Sequence, residues 1–128
     1  MNRTFQTFAI LILIIVISSI SFFGWLQFRN PYSGKKFDAE IWRSYAQSDD
    51  ESNPRGPMTE NLIENHLKIG IDRQSLTSLL GKEDSHQGQN CVGYTLGMWS
   101  GLMALDYDVL HICYDSSDKL ISAKAYQH

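Results

Sequence analysis

The chain has 128 residues, of which 43% are hydrophobic and 20% are charged, and this length allows one small globular domain. Residues 1–29 contain two arginines and no acidic residue, so the remainder carries 9 basic and 14 acidic side chains, a net charge of −5. Such a domain lacks the attraction to phosphate on which non-specific nucleic-acid affinity depends, which argues against a nucleic-acid-binding protein.

An uncharged, strongly apolar run lies near the start of the chain, between Arg3 and Arg29. A helix needs about 20 apolar residues to cross a bilayer, and residues 8–26 provide that length, with Trp25 placed as an interfacial anchor. The run exceeds the core of about 7–15 residues that is typical of a cleaved signal peptide, and it lacks a strong cleavage site. We therefore predict that residues 1–29 are an uncleaved membrane anchor, with a cleaved signal peptide as the alternative.

The flanking charges and the cysteines give opposing indications of membrane orientation. Arg3 precedes the apolar run, whereas Arg29, Lys35 and Lys36 follow it closely, a distribution that favours a cytoplasmic C-terminal part. A run with so short a leader is, however, typical of a signal anchor that exports the following domain, and the two cysteines favour an oxidising compartment. We expect export, and the cytoplasmic orientation stays open.

Residues 30–57 are predicted to form a linker that contains one short helix. Phe37, Ile41 and Tyr45 recur at helical spacing, with Trp42 beside them. The polar stretch that follows contains two prolines, as an exposed connection commonly does.

Residues 58–128 begin with the pattern of two capped helices about a glycine turn. Thr59 is the predicted N-cap of the first helix, and Gly70 is predicted to end it at positive φ. Asp72 is the predicted N-cap of the second helix, which ends at Gly81. The second helix has few basic or amide side chains, so we interpret the pair as a scaffold and not as a helix-turn-helix that reads DNA.

Three segments with alternating apolar residues follow the helices. Residues 91–97, 108–115 and 119–128 each have the period of two that is typical of strands, and short turn-forming stretches join them. The predicted fold is therefore α+β: an N-terminal transmembrane helix, then two or three short helices packed on one face of a three-stranded antiparallel meander.

The helical pair resembles a motif of the SmpA/OmlA, or BamE-like, family of small bacterial envelope proteins. That motif is a glycine-apolar-(Ser/Thr)-Arg segment followed by Leu-Leu-Gly-x-Pro, ahead of a β-meander. The matching residues here are Gly70, Arg73 and Leu79-Leu80-Gly81, and the resemblance covers residues 57–128. The chain differs in having Asp72 at the capping position, Glu83 in place of the proline, and a membrane anchor in place of the lipid-bearing cysteine.

The resemblance implies a non-enzymatic binding module of the bacterial envelope, like the similar β-lactamase-inhibitor-like domains. We therefore predict no cofactor and a protein partner engaged in envelope assembly or maintenance. Together with the anchor, it predicts a single-pass protein of the inner membrane whose C-terminal domain, residues 58–128, lies in the periplasm or outside.

The two cysteines are predicted to form a cross-strand disulfide. A register in which paired residue numbers sum to 204 joins the apolar faces of the first two strands and sets Cys91 opposite Cys113, close enough for a bridge. The alternative is a metal-binding or thiol-redox protein that uses Cys91, His111 and Cys113. The third strand would set Lys124 opposite His111, which is unfavourable for a cation.

The connection between the first two strands, residues 97–107, carries an unusual number of apolar side chains. Loops lie at the surface, and clustered apolar residues there often mark a contact site. We predict a partner-binding site with Trp99 as its anchor, surrounded by Met98, Leu102 and Met103. The alternative is that these side chains close the open end of the core. The central residue of the nearby glycine-flanked segment is Trp99, where a hydrolase elbow requires serine, so no enzyme is predicted.

Overall fold

The computed structural model describes residues 2–101 and 105–127, in two compact units that adjoin in sequence at Asn30 and Pro31. The first unit contains a single described helix, α1 (Arg3–Phe28). The second unit contains α2 (Ala39–Ser44), α3 (Arg55–His66) and α4 (Arg73–Leu80), followed by β1 (Ser85–His86), β2 (Cys91–Gly97), β3 (Asp108–Tyr114) and β4 (Leu120–Gln127).

The α1 helix confirms the predicted apolar N-terminal helix. Among the described residues it is the one helix long and apolar enough, by length and composition, to cross a membrane. Large apolar side chains are exposed all around it, among them Phe8, Ile14 and Ile20. Because no face of the helix is polar, its surface suits a hydrocarbon environment better than water.

The second unit contains a four-stranded antiparallel sheet in the order β1-β2-β3-β4. The predicted three strands are all present, but the predicted count was one too few. The strand that was missed is β1, whose Ser85 pairs with Gly93 and whose His86 pairs with Val92. Two residues are too few to show a period, so nothing in the local sequence indicates this strand.

The helices cover one face of this sheet, as predicted. The buried face consists of Val92, Tyr94 and Leu96 from β2 and Leu110, Ile112 and Tyr114 from β3. Apolar residues of α3 and α4, including Leu62, Leu76 and Leu80, complete the same core. The period-two pattern thus identified the core face of both central strands correctly.

Residues 30–57 do not behave as a separate linker, because residues 31–57 pack as part of the second unit. The predicted short helix is α2, which begins at Ala39. Its N-cap is Asp38, whose Oδ1 accepts hydrogen bonds of 2.9 Å from the amides of Glu40 and Ile41. Its core residue is Trp42, which is fully buried, whereas Ile41, predicted on the apolar face, is 41% exposed.

The start of α3 also differs from the prediction. The helix begins at Arg55, four residues before the predicted cap Thr59. Thr59 lies within the helix, where its hydroxyl donates to the carbonyl of Arg55 at 2.8 Å. Pro57 is tolerated because the amides of the first turn have no partner within the helix. Pro57, predicted to lie in an exposed connection, is instead a buried residue of the first turn of α3.

The turn between α3 and α4 pairs with the sheet. The helix ends at His66, earlier than predicted, and Gly70 adopts φ +92°, which confirms the predicted positive φ. The Gly70 amide donates to the Leu120 carbonyl at 2.8 Å, and the Leu120 amide donates to the Ile71 carbonyl at 2.8 Å. Asp72 caps α4 as predicted, accepting from the Ser75 amide at 2.9 Å, and Gly81 follows the helix at φ +80°.

We expect Gly70→Ala to lower the free energy of unfolding by about 1 kcal/mol, because alanine is strained at this positive φ. A Cβ added to Gly70 would meet no atom within 4 Å, so the cost would come from the backbone alone. Thermal unfolding measures the change. Gly70→Asn is the matched control and should cost less, because asparagine tolerates the left-handed region. Equal stability of wild type and Gly70→Ala would contradict the described turn.

A buried ion pair joins the helices to the sheet connection. Arg55 is fully buried, its Nη1 lies 2.7 Å from Asp84 Oδ2, and its Nε donates to the Trp42 carbonyl at 2.7 Å. Asp84 also accepts from the amides of Gln47 at 2.7 Å and Thr95 at 2.8 Å. Burial lowers the pKa of the Arg55 guanidinium, and the charge of Asp84 opposes that change.

Replacement of Arg55 by methionine should lower the free energy of unfolding by about 3–5 kcal/mol, because it leaves the Asp84 carboxylate buried without its cation. Denaturant titration of the two proteins measures this difference. The matched control is Asp118→Asn, which removes the exposed ion pair with Arg73 and should change stability by less than about 1 kcal/mol. Losses of similar size in both variants would show that the Arg55–Asp84 pair stabilises the unit no more than the exposed pair does.

Candidate functional site

The β2–β3 loop, residues 97–107, is the predicted partner-binding segment. The structure describes it at residues 97–101 and 105–107, so the predicted site residues Leu102 and Met103 lie outside the described residues. Gly97 and Gly101 both adopt positive φ, +94° and +79°, which other residues rarely do. These two glycines allow the chain to turn sharply as it leaves β2.

A buried carboxylate organises the first part of the loop. Asp108, the first residue of β3, is fully buried, and its Oδ2 accepts from the amides of Trp99 and Ser100, both at 2.8 Å. Its Oδ1 accepts from the Ser100 hydroxyl. The nearby Tyr32 has a raised pKa, chiefly because it is partly buried, with the charge of Asp108 contributing. The loop's own donors therefore satisfy the charge that is buried beneath it.

The same loop is tied to the segment that precedes α3. The Met98 amide donates to the Glu51 carbonyl at 2.8 Å, and Trp99 Nε1 donates to the Asn53 carbonyl at 2.9 Å. On the other arm of the loop, the Tyr107 hydroxyl donates to the Asp49 carbonyl at 2.5 Å. Both ends of the loop are thus held against residues 49–53.

The ring of Trp99 is packed against backbone. It is half-buried, and a Cβ added to Gly56 would lie 2.2 Å from Trp99 Cδ1. Only glycine at the second position of α3 leaves room for the indole. Met98 is half-buried as well. These contacts favour the alternative that Trp99 closes the core, and its role as the partner-facing anchor stays a prediction.

The exposed apolar residue of the described loop is Leu105, which is 76% exposed. The next residues are the exposed Asp106 and the half-buried Tyr107. The pKa of Tyr107 is raised, first by desolvation and then by the charges of Asp49, Glu51 and Asp50. The loop therefore presents an apolar side chain beside acidic groups.

Leu105 is not among the predicted site residues, although its neighbour Asp106 is typical of a loop surface. The contribution of residues 49–53 is not predicted either. That contribution depends on contacts between residues more than 40 positions apart, for which a local pattern carries no signal.

The two cysteines lie on the sheet face opposite the helices. The predicted register is confirmed: Cys91 pairs with Cys113, Val92 with Ile112, and Tyr94 with Leu110. The sulfur atoms of the cysteines are 2.05 Å apart, a disulfide distance.

The surroundings of His111 bear on the alternative metal site. His111 lies opposite Gly93 on β2 and Lys124 on β4, and its ring contacts Tyr126 at a centroid distance of 5.0 Å. Within residues 2–101 and 105–127, no group of three or more His, Cys, Asp or Glu side chains is placed to hold a metal ion. Sulfurs bonded to each other are not available as thiolate ligands, so the proposed Cys91–His111–Cys113 set would first require reduction.

Comparison of the chain with protein-family models, with curated proteins and with solved structures found no match. The resemblance to the SmpA/OmlA family therefore stays a prediction. It depends only on the motif around Gly70 and Gly81.

We expect Trp99→Ala to lower the free energy of unfolding by about 2 kcal/mol, because it removes a half-buried ring and its hydrogen bond to Asn53. Chemical denaturation of the variant would measure the loss. Trp99→Phe should cost less, since it keeps most of the ring contact with Gly56, and Leu105→Ala should leave stability unchanged. A Trp99→Ala domain as stable as the wild type would favour the partner-facing role.

Proposed function

We propose that this chain is a single-pass membrane-anchored protein that displays a small protein-binding domain in the bacterial envelope. Its role would lie in envelope assembly or maintenance, through contact with a protein partner. The observation that carries the proposal is the β2–β3 loop, which presents the exposed Leu105 from a base that is hydrogen-bonded on both arms.

The described ends of the loop are pre-organised for binding. Asp108 holds one arm through two amides, and the carbonyls of Asp49, Glu51 and Asn53 hold the loop from the other side. Association with such a loop costs less conformational entropy than association with an unrestrained one. An apolar side chain that stays in water on a restrained loop is therefore a reasonable contact for a partner.

Binding fits this loop better than catalysis does. The amides of Trp99 and Ser100 point to one oxygen, as they would in an oxyanion hole, but Asp108 already occupies them. The Ser100 hydroxyl also donates to Asp108 and has its proton committed to that carboxylate. A nucleophile and an oxyanion hole would each need these groups free for substrate.

The proposed location is the bacterial inner membrane, with the second unit in the periplasm. The apolar α1 helix supports membrane attachment, and the Cys91–Cys113 pair at disulfide distance supports an oxidising compartment. An export-dependent reporter fused after His128 tests the orientation. Activity of the reporter is the expected result, and an inactive reporter in a stable fusion would place the domain in the cytoplasm.

Site-specific photo-crosslinking tests the binding site in the full-length chain in its native membrane. A photoreactive residue replaces Leu105, and the matched controls carry it at Ile121 or Ile69, which are also exposed apolar positions of the second unit. We expect a discrete adduct with one protein from position 105 and none of that size from the controls, because only position 105 would lie in the interface.

Two results would contradict the proposal. The absence of an adduct at position 105, with expression and melting temperature retained, would remove the loop from any stable interface. The same adduct from all three positions would indicate random encounter. Substitution of Leu105 by aspartate should also weaken binding of the partner. A photoreactive residue at a neighbouring loop position, such as Asp106, should then give less of the same adduct.

A further inference from the structure

Charge is distributed unevenly along this chain. The first 36 residues hold four basic side chains and no acidic one, and three of those four, Arg29, Lys35 and Lys36, come within eight residues after α1. All fourteen acidic residues and the remaining seven basic residues come later, so residues 37–128 carry a net charge of −7. The part of the chain next to the apolar helix in sequence is therefore basic, and the remainder is acidic.

The segment that contains the lysines is fixed to α3. The Glu60 amide donates to the Tyr32 carbonyl at 2.8 Å, and the Lys35 amide donates to the Pro57 carbonyl at 3.1 Å. The Phe37 amide then donates to Asn61 Oδ1 at 2.9 Å. Lys35 and Lys36 thus project from an ordered surface of the second unit.

The covalent connection to the apolar helix is short. Only residues 29–31 separate Phe28, the last residue of α1, from Tyr32, whose carbonyl accepts from the Glu60 amide of α3. An extended chain spans at most about 3.5 Å per residue, so the four steps from Phe28 to Tyr32 cover about 14 Å at most. A tether this short gives the lysine-bearing surface a high effective concentration at any bilayer that α1 crosses.

The lysines border an open groove with an apolar floor. The groove is lined by Lys35, Lys36, Phe37, Asp38, Ile41, Pro54 and Met58. Both lysine side chains are exposed, and Ile41 is one of the exposed large apolar residues of this unit. Cationic side chains around apolar ones match the boundary between headgroups and acyl chains of an anionic bilayer.

We propose that the surface formed by Lys35, Lys36 and Ile41 binds anionic phospholipid headgroups at the membrane that α1 crosses. The lysines contact phosphate oxygens, and Ile41 reaches the apolar side of the headgroup layer. The acidic remainder of the unit is repelled by the same lipids, so contact is limited to this surface. The proposal is independent of the partner-binding loop, which belongs to the β2–β3 connection.

Three carboxylates lie near the lysines. Asp38 Oδ1 is already engaged, because it accepts hydrogen bonds from the amides of Glu40 and Ile41 as the cap of α2. Glu60 and Glu64 line a second groove with the lysines, on the side of α3. The lipid contact must therefore use the side of Lys35 and Lys36 that borders Ile41.

Amine acetylation of the full-length protein tests the contact. The protein is reconstituted in nanodiscs of phosphatidylcholine alone or of phosphatidylcholine mixed equally with phosphatidylserine, and mass spectrometry gives the acetylation rate of each lysine. In the anionic discs, acetylation of Lys35 and Lys36 should fall about five-fold at low salt and recover at high salt. Lys82 and Lys119 should change little.

Equal rates in the two kinds of disc would overturn the proposal. So would an equal fall at all four lysines, since that is a general effect of the charged surface on amine reactivity. Inorganic phosphate added to phosphatidylcholine discs should protect neither lysine, and protection by phosphate would assign the site to a free anion instead of a lipid.

A second measurement follows the apolar part of the contact. Ser44 is exposed, and its hydroxyl bonds to the Ile41 carbonyl, so a polarity-sensitive dye on Ser44→Cys reports on the surroundings of Ile41. The dye emission should shift to the blue in anionic discs. Lys35→Gln/Lys36→Gln should abolish the shift, whereas Lys119→Gln/Lys124→Gln, which removes the same charge, should retain it. The opposite pattern, or no shift, would overturn the proposal.

Discussion

The Arg55–Asp84 ion pair is the constraint on which most of the second unit depends. It connects the start of α3 with the segment between α4 and β1, and the further bonds of the two side chains reach the end of α2, residue 47 and strand β2. Burial of both charges costs free energy. This cost is offset because nearly every oxygen and nitrogen of the two side chains has a hydrogen-bond partner. Arg55 Nη2 is an exception, and it lies among aromatic rings, with the guanidinium 5.0 Å from the centre of Trp42.

This arrangement also supports the proposed binding loop. The ion pair positions residues 47–55, and the carbonyls of Asp49, Glu51 and Asn53 in that segment receive donors from the β2–β3 loop. The two described ends of the loop are therefore held by a segment that the sequence pattern predicts to be only an exposed connection. A site built in this way is rigid where it meets the scaffold and exposed at Leu105.

The successful predictions concern features with a local physical cause. The register of β2 with β3 follows from alternation of apolar residues, because a shift of one residue would turn the core face toward solvent. The caps at Asp72 and Gly81 and the positive φ of Gly70 follow from properties of those residues alone. The errors concern features without such a cause: the two-residue strand β1, the start of α3 at Arg55, and the inclusion of residues 31–57 in the second unit.

The sequence by itself determined the apolar N-terminal helix, the α+β class, the pairing of Cys91 with Cys113 and the presence of an apolar β2–β3 loop, since each depends on residue periodicity or on neighbours along the chain. Tertiary structure decided that Arg55 is buried, that Trp99 packs on Gly56, and that Leu105 is exposed. These outcomes depend on which distant backbone groups offer a partner or leave a space. A charge or an indole is buried where such groups can pair with it or make room for it, and this cannot be inferred from residue type alone.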